Sequence, residues 1–216
     1  MRPIYLLLGL SFIALLSAGC SSSEQPVPSA PTPDLEATVE AMVQKELEKT
    51  VSTPIPIALT ECKSLSECHA SGFDYLESGE YSRALPYFTD AIALDPRDAV
   101  AYYNRGLAYH ELGQYEKAIE NYSETIRLDP QVADAYYNRG RSYSQLGQYE
   151  RVLEDLNEAL RINPLDADFY YHRSLAYIVL DLYERALEDL NKALRINPLH
   201  EKTVELRREL LEYIKN

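Results

Sequence analysis

AYYNRGLAYHELGQYEKAIENYSETIRLDP, residues 101–130, returns 34 residues later as AYYNRGRSYSQLGQYERVLEDLNEALRINP, residues 135–164. In each stretch apolar and small residues recur every three or four positions over two runs, the period of helices with one buried face. The runs meet at Leu112-Gly113 and Leu146-Gly147. Glycine there permits the left-handed residue that closes a helix, and the final proline stops the second run. Each stretch reads as a helical hairpin.

The register extends in both directions. Pro96, Pro130, Pro164 and Pro198 are each 34 residues apart. The same spacing relates Tyr102, Tyr136 and Tyr170; Tyr75, Tyr109, Tyr143 and Tyr177; and Tyr81, Tyr115, Tyr149 and Tyr183. Small residues fill three further columns: Gly72, Gly106, Gly140 and Ser174; Ala84, Ala118, Val152 and Ala186; Ala91, Thr125, Ala159 and Ala193. Small side chains let paired helices approach, and the tyrosines fill the space on either side.

This pattern resembles the tetratricopeptide repeat, a 34-residue helix-turn-helix unit that buries its apolar face only by stacking on its neighbours. The resemblance implies an all-α fold: an α-solenoid of four units, 65–98, 99–132, 133–166 and 167–200, with residues 201–216 as a C-terminal capping helix. Departures fall at the ends. Cys68 replaces the large aromatic of the first unit. Pro86 lies inside a second helix, where it is expected to cost up to about 3 kcal/mol or to kink the helix. Asp181 replaces the turn glycine, and Arg208 occupies the small-residue column after unit four.

In the family, first helices line a concave groove. The resemblance places Tyr103, Asn104, Leu107, His110 and Glu111 of the second unit there. The third unit supplies Asp134, Tyr137, Asn138, Arg141 and Ser144, and the fourth Asp168, Tyr171, His172, Leu175 and Ile178. Tyrosine offers apolar area with one hydroxyl, and asparagine can pair with both polar groups of an extended backbone, so a protein or peptide partner is expected. Some family members clamp C-terminal carboxylates with groove lysines and asparagines; the lysines are missing here. Arg105, Arg139 and Arg173 recur at the seventh position and are expected to pair internally with carboxylates such as Asp155 and Asp189.

Residues 1–19 have the form of an export signal: Arg2, an apolar stretch from Ile4 to Leu16, then small residues. The apolar stretch is short of the ~20 residues that span a bilayer. Leu16-Ser17-Ala18-Gly19-Cys20 resembles a bacterial lipobox, which implies cleavage before Cys20 and acylation of its sulfur. Ser17 departs from the commoner aliphatic residue. The expected product is a lipoprotein anchored outside the cytoplasmic membrane or in the periplasm or outer membrane. Residues 20–33 form a Pro/Ser-rich tether. Residues 34–51 carry an apolar stripe, Leu35, Val39, Met42, Val43, Leu47 and Val51, of a short amphipathic helix that is expected to dock on the repeats or remain marginal rather than self-associate. Residues 52–64 are an extended connector.

With Cys20 assigned to lipid, Cys62 and Cys68 read as a disulfide in an exported chain, with two free thiols as the first alternative. An alternative makes Cys62, Cys68 and His69 a metal, cofactor or small-molecule site, and a further one makes the chain a structural homo-oligomer through residues 34–51. The cysteine spacing is not that of covalent haem attachment, and zinc would need more ligands than cluster there. The formal charge of −13 argues against nucleic acid. No phosphate loop or nucleophile-elbow string is present, so no cofactor and no catalysis are expected.

Overall fold

The computed structural model describes residues 62–215. The expectations for the signal segment, Cys20, the tether, the helix at 34–51 and most of the connector lie outside the described residues. The described chain is helical, in the order α1 (Leu65–Glu77), α2 (Tyr81–Leu94), α3 (Ala99–Glu111), α4 (Tyr115–Leu128), α5 (Ala133–Gln145), α6 (Tyr149–Ile162), α7 (Ala167–Val179), α8 (Tyr183–Ile196) and α9 (Glu201–Lys215). Helices pair as α1/α2, α3/α4, α5/α6 and α7/α8; each second helix packs on the next first helix, and α9 closes on α8.

The turns inside the hairpins share one construction. Gly79, Gly113 and Gly147 have φ of +74°, +72° and +70°. The next residue's N–H reaches back to the carbonyl of Tyr75, Tyr109 or Tyr143 at 2.8 to 2.9 Å, which satisfies a carbonyl the helix leaves open. In the fourth hairpin Asp181 takes the same conformation at φ 57°, and Leu182 N bonds Tyr177 O at 2.8 Å. Aspartate bears this left-handed conformation better than most side chains, and its carboxylate accepts the Tyr183 hydroxyl.

Between units, Asp95, Asp129, Asn163 and Asn197 each donate a backbone N–H to Ala91, Thr125, Ala159 or Ala193 at 2.8 Å. Their side chains accept the N–H two residues on, across the proline. Asp98 and Asp166 then cap α3 and α7, each satisfying orphan N–H groups of a first turn. Pro86 sits within α2, which is assigned as one helix from Tyr81 to Leu94.

A ladder of arginines ties neighbouring units. Arg139 Nε and Nη2 donate to Asp155 at 2.9 and 2.7 Å, while Nη1 donates to Ser123 of the preceding unit at 3.0 Å. Arg173 repeats this on Asp189 at 2.6 and 2.8 Å and on Asn157 at 2.6 Å. The expected pairing thus holds for these two. Arg105 departs from it: the facing residue is Asn121, reached at 2.8 Å, with Thr89 at 3.4 Å, because unit two carries an amide where units three and four carry aspartate. Burial accordingly pulls the Arg105 pKa down. Arg207 of α9 keeps the backward half of the pattern, donating to Asn191 at 2.6 Å.

The N-terminal end is closed differently. Cys68 is fully buried against Ala91 and Ala101 and is joined to Cys62 by a disulfide, Cα to Cα 5.2 Å. The bridge packs where later units place a tyrosine. At the far end, Thr203 and Leu210 of α9 are buried while Arg208 stays in solvent beside Glu205.

Candidate partner-binding face

The first helices α3, α5 and α7 bring the sequence-expected residues onto one face, but unequally. Tyr103, Leu107, Tyr137, Arg141, Tyr171, His172 and Leu175 are partly exposed; Glu111, Asp134 and Asp168 are exposed. Asn104, Asn138 and His110 are buried, at 4%, 6% and 8% exposure. The asparagines therefore do not stand free for a ligand's backbone. Asn104 Nδ2 donates to Val100 O within its own helix at 2.8 Å. Asn138 Nδ2 donates to Tyr103 Oη at 2.9 Å, and its Oδ1 accepts from Arg141 Nη1 at 3.1 Å.

These bonds make the face a set of joints between units. Asn138 links units two and three. Tyr137 Oη lies 3.3 Å from His172 Nδ1, linking three and four, with the two rings edge to face at 5.1 Å. Tyr171 meets His172 and His200 edge to face at 5.2 and 5.5 Å. His200 Nε2 lies 3.1 Å from Asp168. Burial pushes the Tyr103 and Tyr137 hydroxyls up to about 12, so both stay protonated and neutral in ordinary buffers.

His110 is inside the joint rather than on the face. Its Nδ1 lies 2.9 Å from Ser142 Oγ of the next unit, and its ring meets Tyr115 edge to face. Burial, and then the Arg141 charge, pull its pKa from the ordinary 6.5 down to about 4. The unfolded chain binds this proton near pH 6.5 and the folded chain does not. His110 therefore favours the folded state above pH 6.5, and that contribution is lost as pH falls toward 4. Between pH 7 and pH 5 urea unfolding should show a loss of about 1–2 kcal/mol from this residue. His110→Gln should flatten that part of the profile; an unchanged slope would show that His110 titrates freely.

Two further residues belong to the same face in unit one: His69 stands at the register of Tyr103, and Phe73 at the register of Leu107. Phe73 is 39% exposed. His69 Nε2 lies 2.5 Å from Asp98 Oδ2, and its ring stacks on Phe73. Register counting alone could have found both. The two cysteine sulfurs are bonded to each other, so the Cys62/Cys68/His69 alternative finds no thiolate ligand there. Among the described residues no three His, Cys, Asp or Glu side chains gather around a common point, and no helix is long and apolar enough to cross a membrane.

Four family models match the chain: one described as TPR repeat over 107–147, and three as tetratricopeptide repeat over 87–120, 133–165 and 167–200. No curated protein sequence matches it. Solved structures of similar fold include MamA (41–end) from Desulfovibrio magneticus RS-1, at 23% identity and TM-score 0.61, covering 71% of this chain and 93% of that one. The first TPR of Spaghetti (RPAP3) bound to the HSP90 peptide SRMEEVD is 24% identical with TM-score 0.54, covering 56% and 97%. The APC/C hetero-tetramer Cut9–Hcn1 is 20% identical with TM-score 0.64, covering 68% and 30%. With hairpins in 34-residue register, left-handed turns at a common position and repeat models matched from 87 to 200 apart from residue 166, the chain belongs to the tetratricopeptide-repeat proteins.

Proposed function

We propose that this protein is an exported, lipid-anchored scaffold of the bacterial cell envelope that holds an extended segment of a protein partner on its first-helix face and carries out no catalysis. The observation that carries the reading is the ladder of half-buried tyrosines, Tyr103, Tyr137 and Tyr171, one per unit, the first two held by contacts between units and Tyr171 by ring contacts within unit four. Aromatic side chains fixed in advance lose little conformational entropy on binding, which is what a recognition surface requires. The peptide-bound structure among the fold neighbours supports this use of the architecture. Export and anchoring rest on residues 1–20 and on the lipobox-like run ending at Cys20.

One experiment addresses both parts. The tagged full-length chain, expressed in a bacterium, is fractionated and its partners are captured from detergent-solubilised membranes. Cys20→Ser should move the chain from the membrane to the soluble fraction. Tyr137→Ala should cut recovery of the captured partner about tenfold while leaving the helical circular dichroism intact, since truncating a central aromatic contact commonly costs 1–2 kcal/mol or more. A membrane-bound Cys20→Ser variant would end the anchoring claim, and undiminished capture by Tyr137→Ala would move the partner off this face.

A further inference from the structure

The ninth position of the four units reads Phe73, Leu107, Arg141 and Leu175: three apolar side chains interrupted by one guanidinium on the same face. Aspartate and glutamate outnumber lysine and arginine 34 to 21, so an arginine has ample opportunity to find a carboxylate of its own chain. Arg139 and Arg173 do so. Arg141 makes no ion pair among the described residues; its bond is to the Asn138 carboxamide at 3.1 Å, and its guanidinium lies 5.8 Å from the Tyr137 ring centre.

That position is central and held. Asn138 is fixed from its other end by Tyr103 Oη, so the guanidinium has a rigid support and keeps most of its five N–H donors for another acceptor. Its charge reaches Tyr103, Tyr122 and His110 of unit two, Tyr137 of unit three and His172 of unit four. Partly buried among rings, it acts on an incoming charge through a lower dielectric than it would at an open surface.

We propose that Arg141 is the specificity-determining residue of this groove and selects a partner segment that presents a single carboxylate between apolar side chains. A carboxylate matches the planar fork of the guanidinium in two parallel hydrogen bonds. Leu107 with Phe73 on one side and Leu175 on the other supply the apolar flanks. Asp134 and Asp168, exposed along the same face, repel further acidic groups, so one carboxylate is favoured over an acidic run. The arrangement differs from a clamp of lysines, since its guanidinium stands at the joint of units two and three. The inference rests on the first-helix face being where the partner binds.

The test is to pan displayed random linear peptides on the full-length chain and on Arg141→Gln, Arg141→Glu and Tyr137→Ala. The wild-type chain should enrich Asp or Glu flanked by apolar residues. Arg141→Gln should lose that enrichment, and Arg141→Glu should prefer Lys or Arg at the same place. In a synthesised selected peptide, changing the acid to its amide should weaken binding about tenfold or more, the usual weight of a charged hydrogen bond. If amidating the peptide's C-terminus has no effect, the carboxylate is a side chain; if amidation weakens binding equally, it is the chain end. Peptides lost on Tyr137→Ala but without acidic enrichment, or enriched equally by Arg141→Gln, would overturn the role of Arg141 and leave the groove standing. Failure to retain any peptide, or indifference to Tyr137→Ala, would remove the groove and this inference together.

Discussion

Arg139→Met is expected to destabilise the fold by about 3 kcal/mol at pH 7, because it leaves a buried carboxylate without its counter-charge. Asp155 is 4% exposed, and each of its carboxylate oxygens accepts a hydrogen bond from Arg139, at 2.7 and 2.9 Å. Burial already pushes the Asp155 pKa upward even with the arginine in place. In the variant the carboxyl rises further and gains a proton more readily than in the unfolded chain. A folded-state pKa above the unfolded one means stability that is present at low pH and lost as pH rises, so the deficit of Arg139→Met should shrink between pH 7 and pH 5. The double variant Arg139→Met, Asp155→Leu should recover most of the loss, since two apolar groups of similar volume need no mutual neutralisation. Arg105→Met should cost only about 1 kcal/mol, as its partners Asn121 and Thr89 are neutral. Urea titrations of the variants at two pH values decide the matter; equal penalties at positions 105 and 139 would show that the carboxylate is not the source of the effect.

The second large effect separates two glycines that occupy one sequence column. A Cβ on Gly106 would stand 2.8 Å from Tyr122 Cε1, and one on Gly72 would stand 2.7 Å from Phe88 Cζ. Both rings are fully buried and have nowhere to go. Gly106→Ala is therefore expected to cost about 1–3 kcal/mol through overpacking. At Gly140 the facing residue is Leu156, and the nearest atom to an added Cβ is Asp155 Cβ at 3.5 Å, an ordinary contact. There the gain in helix propensity is unopposed, and Gly140→Ala should stabilise by up to about 1 kcal/mol. Thermal melts of the two single variants, moving in opposite directions, would confirm the assignment; a common sign would refute it. Unit four already carries the outcome of this logic, with buried Ser174 facing Leu190.

Much of the architecture is local, and local information is what a 34-residue period records. The apolar spacing says which side of each helix is buried, Gly113 and Gly147 say where a left-handed turn closes it, and the prolines say where the second helix stops. Unit four shows the limit of reading by identity, because Asp181 performs the glycine's conformation with a different side chain. The bonds Arg139–Asp155 and Arg173–Asp189 were legible because they repeat at a fixed separation of 16 residues. The backward half of the same ladder, to Thr89, Ser123, Asn157 and Asn191, was not, since its acceptors vary in type from unit to unit.

The first-helix face was legible as a location, and the hydrogen bonding of its polar groups was not. Register alone placed Tyr103, Tyr137, Tyr171 and Arg141 on one face. It could not show that Asn104 turns back on its own helix, that Asn138 is spent between Arg141 and Tyr103, or that His110 lies in the joint against Ser142. Hydrophobic periodicity depends on neighbours a few residues away, so the sequence by itself determined the helices, the hairpins and the face each presents. Asn104 aside, which polar groups remain available to a partner depends on atoms 32 to 35 residues distant meeting across a stacked interface. That choice is made by packing between units, and only the tertiary structure decided it.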